Sequence, residues 1–137
     1  MVETYNSKKD AIANKAKGFI DKGEGILGKE NSETDVIKAM IATVQMTVDP
    51  QTRYKTYAPQ IAAFTEKSKA LDSTNPRPVL LQAETTFYTP TQFGGGKDVA
   101  KPMLDKASEL YNAFKPETEL SPNWGKTAVE YFLSQYK

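Results

Sequence analysis

Cysteine and histidine are both absent from the 137 residues of this sequence. Their absence excludes a disulfide, a zinc site of the usual Cys/His type and an iron–sulfur cluster. It also excludes the Ser-His-Asp and Cys-His systems of nucleophilic catalysis. The composition therefore predicts a non-enzymatic protein that carries no cofactor and no metal.

An excess of charge of either sign is also missing, because 18 Lys and Arg residues balance 17 Asp and Glu residues to a net charge of +1. Proteins that bind nucleic acid usually carry a clear basic excess that neutralises phosphates, so we expect no nucleic-acid partner.

No run of 18 apolar residues is present, which excludes a membrane span. The first ten residues, MVETYNSKKD, lack the apolar stretch of a signal peptide.

Apolar residues recur instead at the helical period. The pattern predicts six helices, over residues 7–27, 32–48, 59–71, 76–88, 98–114 and 124–136. Ser32 is the expected N-cap of the second helix, and Asn75 followed by Pro76 is a strong start for the fourth. Residues 51–58 fit a helical turn or a connector. We place Pro59 in the first turn of the third helix, because an interior proline removes a backbone donor.

A shift of 44 residues aligns Leu27 with Leu71, Asn31 with Asn75 and Ala39 with Ala83. This period is longer than the tetratricopeptide unit of about 34 residues. We predict an all-α fold in a single domain, residues 1–137. Its architecture would be a short tetratricopeptide-like, right-handed α-solenoid of about six helices in three antiparallel hairpins.

In such a solenoid the helices over 32–48, 76–88 and 124–136 line the concave side, where a protein or peptide partner would bind. The candidate groove residues are polar or flanking positions on these helices: Lys38, Gln45, Arg77, Leu81 and Tyr88. Arg77 lies in the first turn of a helix, where the helix dipole disfavours a cation. This placement indicates a specific partner for Arg77, either a carboxylate of a neighbouring helix or a ligand.

The stretch TPTQFGGGK, residues 89–97, resembles a phosphate-binding loop only in part. A Walker A motif needs glycine at position 91 and Ser or Thr at position 98, where this sequence has Thr91 and Asp98. As an alternative function, a small-molecule or anion-binding module could use the glycine loop with the next helix start, through Gly94, Gly95, Gly96 and Lys97. The structural interpretation is a widened turn that lets Phe93 pack into the core.

Three motifs carry a resemblance to a known family: Asn75-Pro76-Arg77, the segment from Thr89-Pro90 to Lys97, and Pro122-Asn123-Trp124-Gly125. Over residues 26–136 the chain resembles a family of bacterial tetratricopeptide-like proteins, associated mainly with Bacteroidetes, whose members share these motifs. The family has no activity that transfers to this chain. Its members are usually longer at the N-terminus and begin with an export signal. The resemblance therefore implies the C-terminal part of a longer precursor, periplasmic or exported if a signal was removed and cytoplasmic otherwise.

Overall fold

A computed structural model describes residues 2–137 of the chain, with the side chains of residue 6 and residues 8–137. This part of the chain has no strand and six α-helices: α1 (Val2–Leu27), α2 (Ser32–Met46), α3 (Pro50–Leu71), α4 (Pro76–Tyr88), α5 (Lys97–Ala113) and α6 (Lys126–Ser134). A short 3-10 helix, Thr91–Phe93, lies between α4 and α5. The all-α class is confirmed. None of the described helices is long and apolar enough to cross a bilayer.

The helices form two compact units. Unit 1 ends at Leu71 and contains α1, α2 and α3, with α2 in contact with both other helices. Unit 2 begins at Asp72 and contains α4, α5 and α6, with α5 in contact with both others. The stacking of helical hairpins into a solenoid, its concave face and the single domain stay predictions.

The start of α2 in unit 1 differs from the sequence prediction by one residue. Asn31, not Ser32, is the N-cap: its side chain accepts from the Thr34 amide at 3.0 Å, and the Thr34 hydroxyl accepts from the Asn31 amide at 3.1 Å. This reciprocal arrangement satisfies two backbone donors that the helix itself leaves free. Ser32 is instead buried, and its hydroxyl donates to the Ser68 carbonyl oxygen at 2.9 Å, which joins α2 to α3.

The prediction for Pro59 was wrong, because this residue lies inside α3 and not in its first turn. Helix α3 begins at Pro50, so the ambiguous segment 51–58 is helical. Pro59 cannot donate to the carbonyl of Lys55, but both residues are exposed, so water can reach that carbonyl. The side chain of Gln60 also donates to the Thr56 carbonyl at 3.1 Å. An exposed position therefore tolerates the interior proline.

Unit 2 has a core of buried apolar side chains from all three of its helices, namely Leu80, Ala83, Leu104, Ala107, Val129 and Phe132, with Tyr111 beside them. The predicted start of α4 is confirmed: the Asn75 side chain accepts from the Arg77 amide at 3.0 Å, and Pro76 follows as the first helical residue. Buried residues recur at positions 80 and 83 of α4 and at 104, 107 and 111 of α5, the spacing of one helical face.

Gly125 sets the direction in which the chain enters α6, which begins at Lys126 and not at Trp124 as predicted. Its φ of +107° lies in the region that only glycine adopts at low cost. A Cβ atom at this position would also collide with the hydroxyl of Tyr111. Glycine is therefore required at this position for two reasons: the positive φ of the backbone and the close packing against Tyr111 of α5.

Candidate functional site

The five candidate groove residues fall into both units. Lys38 and Gln45 lie on α2 in unit 1, and Arg77, Leu81 and Tyr88 lie on α4 in unit 2. Within unit 1, Lys38 and Gln45 share one cavity. Within unit 2, the three side chains have different environments: Arg77 is buried, Leu81 is half-buried and Tyr88 is exposed.

The cavity of unit 1 has a volume of about 310 Å³ and is open to solvent. Its lining mixes apolar and polar side chains from α1, α2 and α3: Ile41, Ala42, Tyr57 and Phe64, with Asn14, Lys17, Asp21, Lys38, Gln45 and Gln60. The amide of Gln45 already donates to the side chain of Asn14 at 3.4 Å. The size lies at the lower end of the range for small-ligand sites.

Lys38 at this cavity is held by carboxylates from three directions. Its ammonium lies 2.8 Å from Glu24, 2.9 Å from Glu30 and 3.6 Å from the fully buried Asp35. Despite burial, the hydrogen bonds and charges of Glu24 and Glu30 raise the pKa of Lys38 above its usual value. Hydrogen bonds from Lys67 and Lys38 lower the pKa of Glu30 to about 2.

Burial has the opposite effect on Asp35 and raises the pKa of its carboxyl. Oxygens of Glu24, Glu30 and Asp35 lie within 4.8 Å of one another, a spacing that could hold a metal ion. The Lys38 ammonium is within ion-pair distance of all three and supplies the positive charge there. This cluster therefore works as an ion-pair network that links α1, the α1–α2 connector, α2 and α3.

Arg77 is fully buried in unit 2 and faces no open groove. Its guanidinium lies over the rings of Phe114 at 4.7 Å and Trp124 at 5.4 Å, measured to the ring centroids. It also donates to the carbonyl oxygen of Pro122. Arg77 thus ties the start of α4 to the connector between α5 and α6, which explains a cation in the first turn of a helix.

An aromatic surface forms where the end of α4 meets α6 in unit 2; we define it as Phe87, Tyr88, Tyr131, Phe132 and Tyr136. The buried ring of Phe132 lies 5.0 Å from Phe87, 5.9 Å from Tyr88 and 5.6 Å from Tyr131, between centroids in edge-to-face geometry. Tyr88 is 70% exposed and Tyr131 is 59% exposed. A buried ring therefore supports two tyrosines that face solvent.

Two lysines of α5 border the aromatic surface. The ammonium of Lys97 lies 5.4 Å from the Phe87 centroid, and that of Lys101 lies 5.7 Å from the Tyr136 centroid. The Tyr136 hydroxyl donates to the Lys97 carbonyl oxygen at 2.6 Å, which fixes the end of the chain to the start of α5. The surface thus combines aromatic faces with cations at its edge.

The glycine loop beside this surface directs its amides into the protein. Gly94 donates to the Thr91 carbonyl at 3.0 Å, Gly95 to the Pro90 carbonyl at 3.3 Å and Gly96 to the Thr86 carbonyl at 2.8 Å. These donors are occupied, so the anion alternative rests on Lys97 and on the free amides of the first turn of α5. Phe93 is exposed, and the expectation that it packs into the core was wrong.

Tyr88 was among the predicted binding residues, whereas Tyr131, Tyr136 and Lys101 were not. A signal was present in the sequence: residues 130–136 read EYFLSQY, with three aromatic rings in seven positions. Helical periodicity assigned all of them to a core-facing stripe. Only the fold shows that Phe132 alone is buried and that Tyr131 faces solvent.

Comparison with known proteins identifies a solved structure with a similar fold. No family model and no curated protein matches the sequence. Among solved structures, the chain is similar to the HusA haemophore from Porphyromonas gingivalis, with 32% sequence identity and a TM-score of 0.84. The match covers 99% of this chain and 67% of the HusA chain. A haemophore is a binding protein, so a binding role without catalysis fits this likeness.

Proposed function

This chain belongs to the family of the HusA haemophore, and from that premise we propose that it binds haem on the aromatic surface of unit 2. The observation that carries the proposal is the pair of exposed tyrosines, Tyr88 and Tyr131, supported by the buried ring of Phe132. Flat apolar macrocycles bind where aromatic side chains present their faces and edges.

Haem carries two carboxylate groups in addition to its apolar ring system, and positive charges beside the aromatic surface match these carboxylates. Lys97 and Lys101 lie at the edge of the aromatic surface, against Phe87 and Tyr136. Their ammonium groups can pair with the carboxylates while the ring system lies on the tyrosines. Asp98 and Asp105 are the acidic side chains nearest in sequence, and Asp105 is paired with Lys101 at 2.6 Å. A bound carboxylate would compete with Asp105 for Lys101.

The iron of haem would have neither of two common protein ligands, histidine and cysteine, available to it. With no histidine and no cysteine in the sequence, the ligand atoms on the aromatic surface are the phenol oxygens of its tyrosines, and the thioether of Met103 packs against the same cluster. Tyrosine is an established haem ligand in proteins. We therefore expect stacking and charge pairing to supply most of the affinity, with a phenolate of Tyr88 or Tyr131 as the iron ligand.

Titration of the protein with ferric haem, followed by the Soret band, tests this proposal. We expect wild type to bind and the Tyr88→Ala/Tyr131→Ala variant to bind at least tenfold more weakly, since an aromatic stack on a planar base contributes about 1–3 kcal/mol. Tyr54→Ala is the matched control, because Tyr54 is 62% exposed but lies on α3 in unit 1. Wild type that fails to bind, or equal losses in the control, would contradict the proposal.

A second pair of variants separates stacking from iron ligation. Tyr88→Phe and Tyr131→Phe keep the rings and remove the phenols. If one phenol binds iron, that variant alone should change the position of the Soret band, while its affinity falls by less than in the alanine variant. Loss of binding on Phe64→Ala, with the tyrosine variants unaffected, would move the site to the cavity of unit 1.

A protein or peptide partner is the second candidate, because Lys38 and Gln45 both line the cavity of unit 1. Side-chain amides such as those of Asn14, Gln45 and Gln60 can bond the backbone of a bound peptide. An array of peptides probed with wild type and with Gln45→Ala/Gln60→Ala tests this function. Binding that both proteins show equally would contradict a peptide site in this cavity.

A further inference from the structure

Helix α1 presents an unusual outer face. Ile12, Phe19 and Ile26 are 67%, 65% and 77% exposed. They are spaced by seven residues, and an α-helix drifts only about 20° over seven residues, so the three side chains lie in one row. A row of large apolar side chains on an otherwise polar surface marks an interaction site.

Lysines run beside this row at the same spacing. Lys8, Lys15 and Lys22 are exposed, and each precedes an apolar residue of the row by four positions. Positions i and i+4 are neighbours on a helix, so each lysine stem lies next to an apolar side chain. We define these six residues as the α1 stripe.

The acidic side chains described on α1 lie elsewhere. Asp10 pairs with Arg53 of α3 at 2.7 Å, and Glu24 pairs with Lys38 of α2 at 2.8 Å. Asp21 lines the cavity of unit 1. The helix thus directs its negative charge toward α2 and α3 and leaves a formal charge of +3 on the stripe, although the whole chain carries only +1.

We propose that the α1 stripe docks unit 1 onto an anionic lipid surface, with the helix lying in the plane of the interface. Basic amphipathic helices bind membranes in this way: the apolar side chains enter the boundary between headgroups and acyl chains, and the lysines reach the anionic headgroups. A second copy of the chain fits this face less well, because pairing two stripes would place lysine against lysine with no acidic residue between them. The proposal does not depend on haem binding.

The binding of the full chain to vesicles tests this inference. Flotation with phosphatidylcholine vesicles, with and without phosphatidylglycerol, should show at least tenfold stronger binding to the anionic vesicles and weaker binding at high salt. Phe19→Ser/Ile26→Ser and Lys15→Glu/Lys22→Glu should each reduce binding at least tenfold. Both pairs are exposed, so the helix content measured by circular dichroism should not change.

Matched controls keep the test specific to the stripe. Lys55→Glu/Lys126→Glu changes the net charge by the same amount at exposed positions elsewhere, and Leu120→Ser removes another exposed apolar side chain. Both should bind within about twofold of wild type. Charges away from the contact are screened, and Leu120 lies outside the α1 stripe. Equal binding to neutral vesicles, equal loss in the controls, or a dimer in light scattering that Phe19→Ser/Ile26→Ser abolishes would each overturn the proposal. Unchanged haem titrations of the stripe variants would show that the two functions are separate.

Discussion

Ser32 and Ser68 each donate a hydrogen bond to the backbone carbonyl of the other. The Ser32 hydroxyl lies 2.9 Å from the Ser68 carbonyl oxygen, and the Ser68 hydroxyl lies 2.8 Å from the Ser32 carbonyl oxygen. Both residues are buried, and the pair joins the start of α2 to the last turns of α3. Two small hydroxyl side chains therefore link the backbones of the two helices directly.

We expect Ser68→Ala to lower the free energy of unfolding by about 1 kcal/mol, because it removes a buried hydrogen bond to the Ser32 carbonyl. Urea denaturation followed by circular dichroism measures this change. The double variant Ser32→Ala/Ser68→Ala should cost less than the sum of the two single variants, since the residues share one network. Ser134→Ala is the control: its hydroxyl makes the same type of bond at an exposed helix end, at 2.6 Å from the Tyr131 carbonyl. Strict additivity would contradict a shared network.

Gly125→Ala should destabilise the protein by about 2 kcal/mol or more. The reasons are the cost of a positive φ for a residue with a side chain and the collision with Tyr111. Gly18→Ala should have the opposite sign and add up to about 1 kcal/mol, because Gly18 lies in an ordinary helical turn with open space around it. Thermal melting of both variants distinguishes the two effects, and a shift of the same sign in both would be inconsistent with this structure.

Arg77→Lys should cost about 2 kcal/mol or more although it keeps the charge. The guanidinium lies over the rings of Phe114 and Trp124 and also donates to the Pro122 carbonyl, and the compact ammonium of lysine cannot reproduce these planar contacts. The emission of Trp124, the only tryptophan, reports the change directly. Arg53→Lys is the matched control, since Arg53 pairs with Asp10 at a partly exposed site and should change stability by less than about 1 kcal/mol. Equal effects at the two positions would show that burial of Arg77 is unimportant.

Acid should weaken unit 1 through Glu30. Its pKa in the folded protein is about 2, below the ordinary value of 4.5, because Lys67 and Lys38 hydrogen-bond the charged form. A lowered pKa contributes stability above about 4.5, and this stability is lost as the pH falls toward 2. The melting temperature of Glu30→Gln should therefore fall less than that of wild type over this range.

The carboxyl of Asp35, in the same ion-pair network, has the opposite effect on the pH dependence of stability. Burial raises the pKa of its carboxyl, so its charged form costs stability and protonation relieves that cost as the pH falls. Asp35→Asn should therefore show a steeper loss of melting temperature in acid than wild type. Glu109→Gln on α5, an exposed carboxylate outside the network, should follow wild type. Parallel curves for all four proteins would contradict both assignments.

The sequence was sufficient for the all-α class, for most of the helix positions and for the Asn75 cap. The cap of α2 was predicted at Ser32, and the structure places it at Asn31, whose side chain accepts hydrogen bonds equally well. The choice depends on Ser68, which is 36 residues away and engages Ser32 in the folded protein. A local rule could not foresee this contact.

The candidate site was only partly predictable, for a similar reason. Helical period identifies which residues share a face, but not whether a neighbouring helix covers the whole face. Tyr131 and Phe132 are adjacent and both aromatic, yet only Phe132 is covered. Arg77 shows the converse, since an arginine expected to line a groove is enclosed by Phe114 and Trp124.

The interior proline of α3 also has a consequence for amide exchange. Pro59 lacks the amide that would complete one backbone hydrogen bond of α3. The turns from Pro50 to Ala58 can therefore open without unfolding the rest of the helix. Arg53 lies in these turns, where it bonds both the side chain of Asp10 and the carbonyl of Gln45. Deuterium uptake should therefore be fast before Pro59 and slow after it. The same local opening would release α1 from α3 while the Ser32–Ser68 contact stays closed.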